Sequence, residues 1–309
     1  MKRTILPILA SLLVYGIAVA LTGVVLNRQP SQSGPVKLAS EPIPQKTNTV
    51  SYKGVSFTFD PSLTSEVKSE TTAAEVEDPT NIVPEHRAFT LTGYPGPKGY
   101  PQIRVFPIVK FREAVAEASR KYSKQVVYPK DPIDWTVNFD EEIRTLKALV
   151  AEKPEHANLT SVIGKARHGK NCSQMPFLPM WERCQVFVAH VRFVNFKNGQ
   201  GAFFLTQYDR ETTQVTNEGL EYVFQGITAD GQYYVSAEFS VSAPFLPSGD
   251  EPDVVAWNEK NYVLPHTSKE YQNYLRPVLA KLEAFPADKF QPKFDLIEPL
   301  IQSLDIQKH

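Results

Sequence analysis

Cys184-Gln-Val-Phe-Val-Ala-His-Val-Arg-Phe-Val-Asn-Phe196, then Lys197-Asn-Gly-Gln-Gly201, then Ala202-Phe-Phe-Leu-Thr-Gln-Tyr208 is the stretch that decides the fold class. Aromatic and β-branched residues fill both flanks, and the first flank alternates through Val186, Val188, His190 and Arg192. Asn198-Gly199 between them is a strong hairpin signal. The stretch therefore reads as two antiparallel strands on a tight turn. Downstream, Glu221–Thr228 and Gln232–Ser240 repeat the pattern through Asp230-Gly231. Upstream, Val50, Tyr52, Val55, Phe57 and Phe59 supply a strand ended by Asp60-Pro61. Ala88–Thr92 and Ile103–Val109 supply two more, joined by Tyr94-Pro-Gly-Pro-Lys-Gly-Tyr-Pro101.

Between these strands the period changes. Phe111, Val115, Ala118 and Tyr122 share one helical face. A second helix is predicted to open at Asn138, with Glu141 at the capping-box position, Phe139, Ile143, Leu146 and Val150 on its face, and Pro154 as its stop. A third opens at Thr267 with Glu270 three residues on; Tyr271, Tyr274, Leu275, Val278 and Leu282 form its stripe, and Pro277 is expected to kink it. A short last helix carries Phe294, Ile297, Leu300, Ile301 and Leu304. Strands from both halves share one core in this reading, which is an α+β domain over residues 50–309, an antiparallel sheet flanked by helices.

Composition excludes several classes of function. Lys+Arg 33 against Asp+Glu 34 leaves a net charge of −1, so no general basic field collects phosphates and nucleic-acid binding is not expected. Two cysteines are too few for a four-thiolate zinc site, and 25 prolines favour turns and strand edges over a helical bundle.

Lys2 and Arg3 precede an uncharged run from Ile5 to Leu26, 22 residues. At ~1.5 Å per residue such a helix crosses a ~30 Å hydrocarbon core. The run reads as a single-pass anchor with the rest of the chain outside the cytoplasm. The alternative is a signal peptide cut after the Ala18-Val19-Ala20 site, which would leave the protein secreted. Residues 27–49, with Pro30, Pro35, Pro42 and Pro44, read as a semi-extended linker. The membrane, through the N-terminal helix, and an extracytoplasmic partner are the expected associations.

The chemical candidates are few. Cys172 and Cys184 lie outside the membrane in this reading, and an even number of thiols in an oxidising compartment points to a disulfide, worth ~3 kcal/mol in the chain-entropy model. A nucleophilic cysteine beside His168 or His190 is the alternative, but no thiol-protease signature surrounds either cysteine. No histidine pair has helical metal-ligand spacing, and no phosphate loop, nucleophile elbow or dinucleotide turn occurs, so no metal or cofactor is expected. Asp131 and Asp134 beside Trp135 could hold a sugar or a cation, although Asp-Pro is turn chemistry. Asp140, Glu141 and Glu142 read as a first-turn cluster complementing the helix dipole, and Glu75, Glu77 and Asp78 as a solvated loop. Asn158-Leu-Thr160 and Asn171-Cys-Ser173 match glycosylation sequons. In the Tyr94–Pro101 loop, prolines stiffen two tyrosines, Tyr94 and Tyr100, into a possible contact surface.

Several segments carry a resemblance: Tyr52-Lys-Gly-Val-Ser-Phe-Thr-Phe-Asp-Pro61, Pro176-Phe-Leu-Pro179, Cys184-Gln-Val-Phe187, Asn198-Gly-Gln-Gly201, Phe204-Leu-Thr-Gln-Tyr208 and Tyr222-Val-Phe-Gln-Gly-Ile-Thr-Ala-Asp-Gly231. They resemble uncharacterised exported bacterial proteins, often lipoproteins, of Chloroflexi and cyanobacteria. The lipobox cysteine of the lipoprotein members is missing here. The strand-first, helix-last layout is also similar to PsbP-like proteins at the level of fold, which implies no function. The expectation is an exported, membrane-tethered, non-catalytic interaction or envelope-associated module. Its rivals are an extracytoplasmic hydrolase of sugar or peptide polymers using Asp131 and Asp134, and a small-ligand carrier with a large apolar pocket.

Overall fold

The computed structural model describes residues 47–78, 81–122, 135–163, 175–179 and 184–308, all within the unit Gln45–His309. The expected membrane segment and nearly all of the linker lie outside the described residues. Among the described residues no helix is long and apolar enough to cross a membrane.

The stretch quoted first is the centre of the sheet. Strand β10, Gly199–Asp209, pairs with β9, Ala189–Phe196, and with β8, Cys184–Gln185, along one edge. Along the other edge it pairs with β11, Leu220–Thr228, which pairs with β12, Tyr233–Ser240. The sheet continues through β7, Gln102–Pro107, and β6, His86–Thr92, to β3, Glu66–Thr72. All of these pairings are antiparallel. A smaller sheet joins β1, Asn48–Tyr52, and β2, Val55–Phe59, to β13, Asp305–Ile306, near the C-terminus. A two-stranded ribbon joins β4, Glu75–Asp78, to β5, Asn81–Val83.

Helices cover one face of the large sheet. Helix α1, Ile108–Tyr122, and helix α2, Trp135–Glu152, bury Phe111, Val115, Phe139, Ile143 and Leu146 against Phe106, Ile227 and Tyr234. Leu149 and the short α3, Leu159–Ile163, cover Ala202, Phe204 and Val223 on the same face. The opposite face carries Phe203, Leu205, Tyr222, Phe224 and Val235. It packs on β2 and on α5, Lys269–Ala284, and α6, Phe294–Gln302, while α4, Pro252–Asn261, contributes the half-buried Trp257. The fold is mixed α and β with antiparallel sheets and helices.

Local chemistry accounts for the differences from the sequence reading. The single strand expected over 50–59 is a hairpin, because Lys53 and Gly54 both take positive φ (44° and 76°), as a two-residue type I′ turn requires. The strand expected from Cys184 to Phe196 is two strands, β8 and β9, separated at residues 186–188, and β9 is itself bulged. His190 takes φ 50°, and the register with β10 shifts there, so residues 190 and 191 oppose Phe204 alone. His190 is thus a bulge residue rather than a regular sheet-face position; its backbone N–H donates to Glu283 Oε2 at 2.9 Å. Helix α2 starts at Trp135, ahead of the predicted Asn138 cap, so Asp140, Glu141 and Glu142 fall beyond the first turn. There Asp140 pairs with Arg112, and Glu142 accepts the Phe177 N–H at 3.0 Å. The cap of α5 is Ser268, not Thr267, with its hydroxyl accepting from Tyr271 N–H; the helix runs through Pro277. Glu75–Asp78 is strand β4 rather than loop.

Helix α6 is held by an aromatic column. Phe203 stacks on Tyr222 at 4.7 Å, Tyr222 on Phe294 at 3.8 Å, and Phe294 on Phe290 at 4.4 Å. Beside it the Tyr222 hydroxyl donates to Glu298 Oε1 at 2.8 Å, and Arg192 pairs with the same oxygen at 3.0 Å. Phe294→Ala removes the ring that joins helix to sheet; a loss of about 3–5 kcal/mol is expected in urea unfolding.

Burial holds the Glu298 carboxyl above its ordinary value of 4.5, while Tyr222 and Arg192 pull it down and Asp295 pushes it up. The native state then keeps a proton that the unfolded chain has released. Its stabilising contribution is therefore full below pH 4.5 and falls as pH rises through the raised value. Glu298→Gln keeps an acceptor for Tyr222 but does not titrate. Its urea midpoint should gain on that of the unaltered protein as pH is raised through this window; a difference independent of pH would contradict the raised value.

Candidate functional site

The loop between β6 and β7 bounds a groove on the face that carries α1, α2 and α3, where polar side chains replace the apolar ones. β-Strand alternation puts them there. Gln102 and Arg104 of β7 alternate with Ile103 and Val105, Glu238 and Ser240 of β12 alternate with Ala237 and Phe239, and Glu221 projects from β11. Gln102 lies opposite Glu238, and Glu221 opposite Ser240, so three adjacent strands share this polar face. Lys98, Tyr100 and Pro101 complete a groove of about 200 Å³.

The two tyrosines of the loop part ways. Tyr94 is only 5% exposed, and its hydroxyl donates to the Ser240 carbonyl at 2.9 Å. Burial raises its pKa well above the ordinary phenol value, so it remains a donor. Tyr94 is therefore an anchor rather than a contact residue. Ser240 fixes the loop a second time: its Oγ accepts from Lys98 N–H at 3.0 Å and donates to the Lys98 carbonyl at 2.7 Å. So anchored, the loop turns Tyr100 outward, 72% exposed, at the rim.

Charge in the groove is balanced. Arg104 pairs with Glu238, and Lys98 Nζ lies 3.4 Å from Glu221 Oε1. The field of the two carboxylates reaches Tyr208, whose pKa is raised first by burial and then by Glu238, against a hydrogen bond from Gln185. The groove thus offers two ion pairs, an amide, a hydroxyl and an aromatic ring. It provides hydrogen-bond donors and acceptors with no net charge.

The other sequence candidates do not converge here. Cys184 opens β8 and is not a free thiol, while Cys172, its expected partner, lies outside the described residues, as do His168, Asp131, Asp134 and the Asn171 sequon. Asn158 is exposed in a 3₁₀ turn. Among the described residues no group of three or more His, Cys, Asp or Glu could hold a metal ion. Of the residues that line the groove, the sequence reading singled out Tyr100 and passed over Lys98, Gln102, Arg104, Glu221 and Glu238. Their signal was the polar residue at every second position of strands otherwise apolar on both faces.

Compared with known proteins, the chain matches no family model, no curated protein and no solved structure.

The anchoring of the loop is testable. A Cβ at Gly96 would sit 2.3 Å from the Tyr94 ring and 2.4 Å from the Ser240 carbonyl oxygen, so Gly96→Ala must displace the backbone. It is expected to cost about 1–3 kcal/mol in urea unfolding. Tyr100→Ala should stay within ~0.5 kcal/mol of the unaltered protein. Equal losses in both variants would mean that Tyr100 is part of the packing.

Proposed function

We propose that this chain is an exported module, tethered by residues 1–26, that acts by binding rather than catalysis and presents the Tyr100 groove to an extracytoplasmic partner. The supporting observation is the charge pairing within the groove. A general acid needs a carboxyl free to hold and release a proton, whereas Glu238 and Glu221 each face a cation. What remains is a neutral surface with Gln102, Ser240 and an exposed ring, suited to an uncharged polar chain such as an extended peptide or a glycan. At about 200 Å³ this groove is smaller than the ~300–1,000 Å³ of a small-molecule pocket, so it is not the large apolar pocket that the carrier reading needs. The disulfide between Cys172 and Cys184 belongs to the same proposal, since it needs the oxidising side of a membrane.

The test has two parts. Membrane fractionation with intact-mass analysis of the natively expressed protein should find an uncleaved N-terminus resistant to carbonate wash; soluble protein cut after Ala20 would remove the tether. A photo-crosslinking residue placed at Tyr100 should then give an adduct in intact cells that the same residue at Val255, exposed on α4, does not give. Identical adduct patterns at both positions would reject the groove as the contact surface.

A further inference from the structure

A second cavity, of about 210 Å³, is lined by Lys53, Thr71, Glu85, Arg87 and Tyr233, with His86 in its wall. Its elements meet because β3 and β6 pair Thr71 with Arg87, while the β1–β2 turn supplies Lys53. Arg87 is 7% exposed. Its Nη1 donates to the Lys53 carbonyl at 2.6 Å, and its guanidinium lies 4.7 Å from the centre of the Tyr233 ring. Its Nη2 is buried without a hydrogen-bond partner.

The charges here are arranged unlike those of the groove. Among the described residues, no ion pair engages Arg87 or Lys53. Lys53 Nζ donates to Thr71 Oγ1 at 2.8 Å and lies over the Tyr52 ring. A buried guanidinium ordinarily has a carboxylate, because desolvating a charge is costly without a counter-charge. Burial lowers the Arg87 pKa, and Tyr233 alone works against it.

Two other titratable groups face the space. His86 Nδ1 lies 2.9 Å from the Pro84 carbonyl, so that nitrogen carries the proton, and burial keeps the ring from charging readily. Glu85 is exposed at the mouth and opposes an anion. Two cations against one carboxylate leave the cavity positive by one charge.

We propose that this cavity is an oxyanion site, taking a carboxylate or phosphate group carried by a small solute. The guanidinium provides directed N–H donors, the Lys53 ammonium adds charge at the entrance, and Thr71 adds a hydroxyl. The volume suits one such group with the rest of the solute outside. This site lies apart from the Tyr100 groove and does not depend on the function proposed for it.

Isothermal titration of the full-length protein with inorganic phosphate and, separately, with acetate tests the site at fixed low ionic strength. Saturable single-site binding of at least one anion is expected, and the preferred probe distinguishes a phosphate from a carboxylate ligand. Arg87→Gln should weaken binding by about tenfold or more, as expected for a hydrogen bond to a charged group. Lys53→Asn, which tolerates the positive φ of that turn, should weaken it about two- to fivefold, and Glu85→Gln should tighten it by a similar factor. If Arg87→Gln does not fold, the opposite signs of the Lys53 and Glu85 variants carry the test. Absence of binding by both anions at tens of millimolar would overturn the proposal. So would binding that is indifferent to these substitutions.

Discussion

Two-sided burial of β10 and β11 is the constraint from which the rest of the architecture follows. In β10, Phe203 and Leu205 point to one side and Ala202 and Phe204 to the other, and all four are fully buried. In β11, Tyr222 and Phe224 oppose Val223 in the same way. An antiparallel sheet commonly leaves one face to water, but these strands cannot. At ~25 cal/mol per Å² of apolar surface, exposing either face would cost several kcal/mol per strand. Helices α1, α2 and α3 cover one side, and α5, α6 and the small β1–β2–β13 sheet cover the other. The termini of the domain meet for the same reason: β13, at residues 305–306, pairs with β2 and completes the second cover.

The centre of the sheet also shows why particular small residues are required. Gly201 of β10 and Gly226 of β11 lie directly opposite each other, and the Phe224 ring lies across the pair. A Cβ at Gly201 would sit 2.4 Å from that ring, and one at Gly226 2.6 Å from it. Glycines weaken a strand, but here they make the space that the ring fills. The aromatic column of Phe203, Tyr222, Phe294 and Phe290 starts from this layer and carries its order into α6. Glu298 is tolerated in the same interior because Tyr222 and Arg192 both reach its carboxylate.

What was legible in the sequence follows the strength of the hydrophobic signal. The β9–β10 and β11–β12 hairpins, the α1 and α2 faces and the stripe of α6 were readable because burial imposes their period. Strand β3 was not, since Glu66–Thr72 at the sheet edge has Val67 as its one aliphatic residue and needs no continuous apolar face. Helix α4 was missed for a similar reason: Val254 is its one fully buried side chain. The bulge at His190, inside β9, depends on a positive φ held by contacts with Glu283 and Leu282, more than ninety residues away, and no local pattern encodes it. Tyr94 and Tyr100 stand in the same loop with similar neighbours. Only the position of the Ser240 carbonyl makes one an anchor and leaves the other outside.

The overall charge of −1 conceals how the protein distributes its cations. Along the groove, Arg104 and Lys98 are matched to Glu238 and Glu221 carried by the adjacent strands, so a ligand there meets dipoles and an aromatic surface rather than a net field. At the β1–β2 turn, Arg87 and Lys53 project where β3 and β7 offer Thr71 and Pro107 instead of acids. The difference lies in the cross-strand neighbours rather than in the cations. On β12 the residue opposite Arg104 is Ser236 and the next on that face is Glu238, whereas on β3 the residue opposite Arg87 is Thr71 and the next on that face is Ser69. Where a sheet pairs its arginine with glutamate, its charge is spent internally. A buried arginine paired with threonine keeps its electrostatic demand, and an anion from outside the chain is what can meet it.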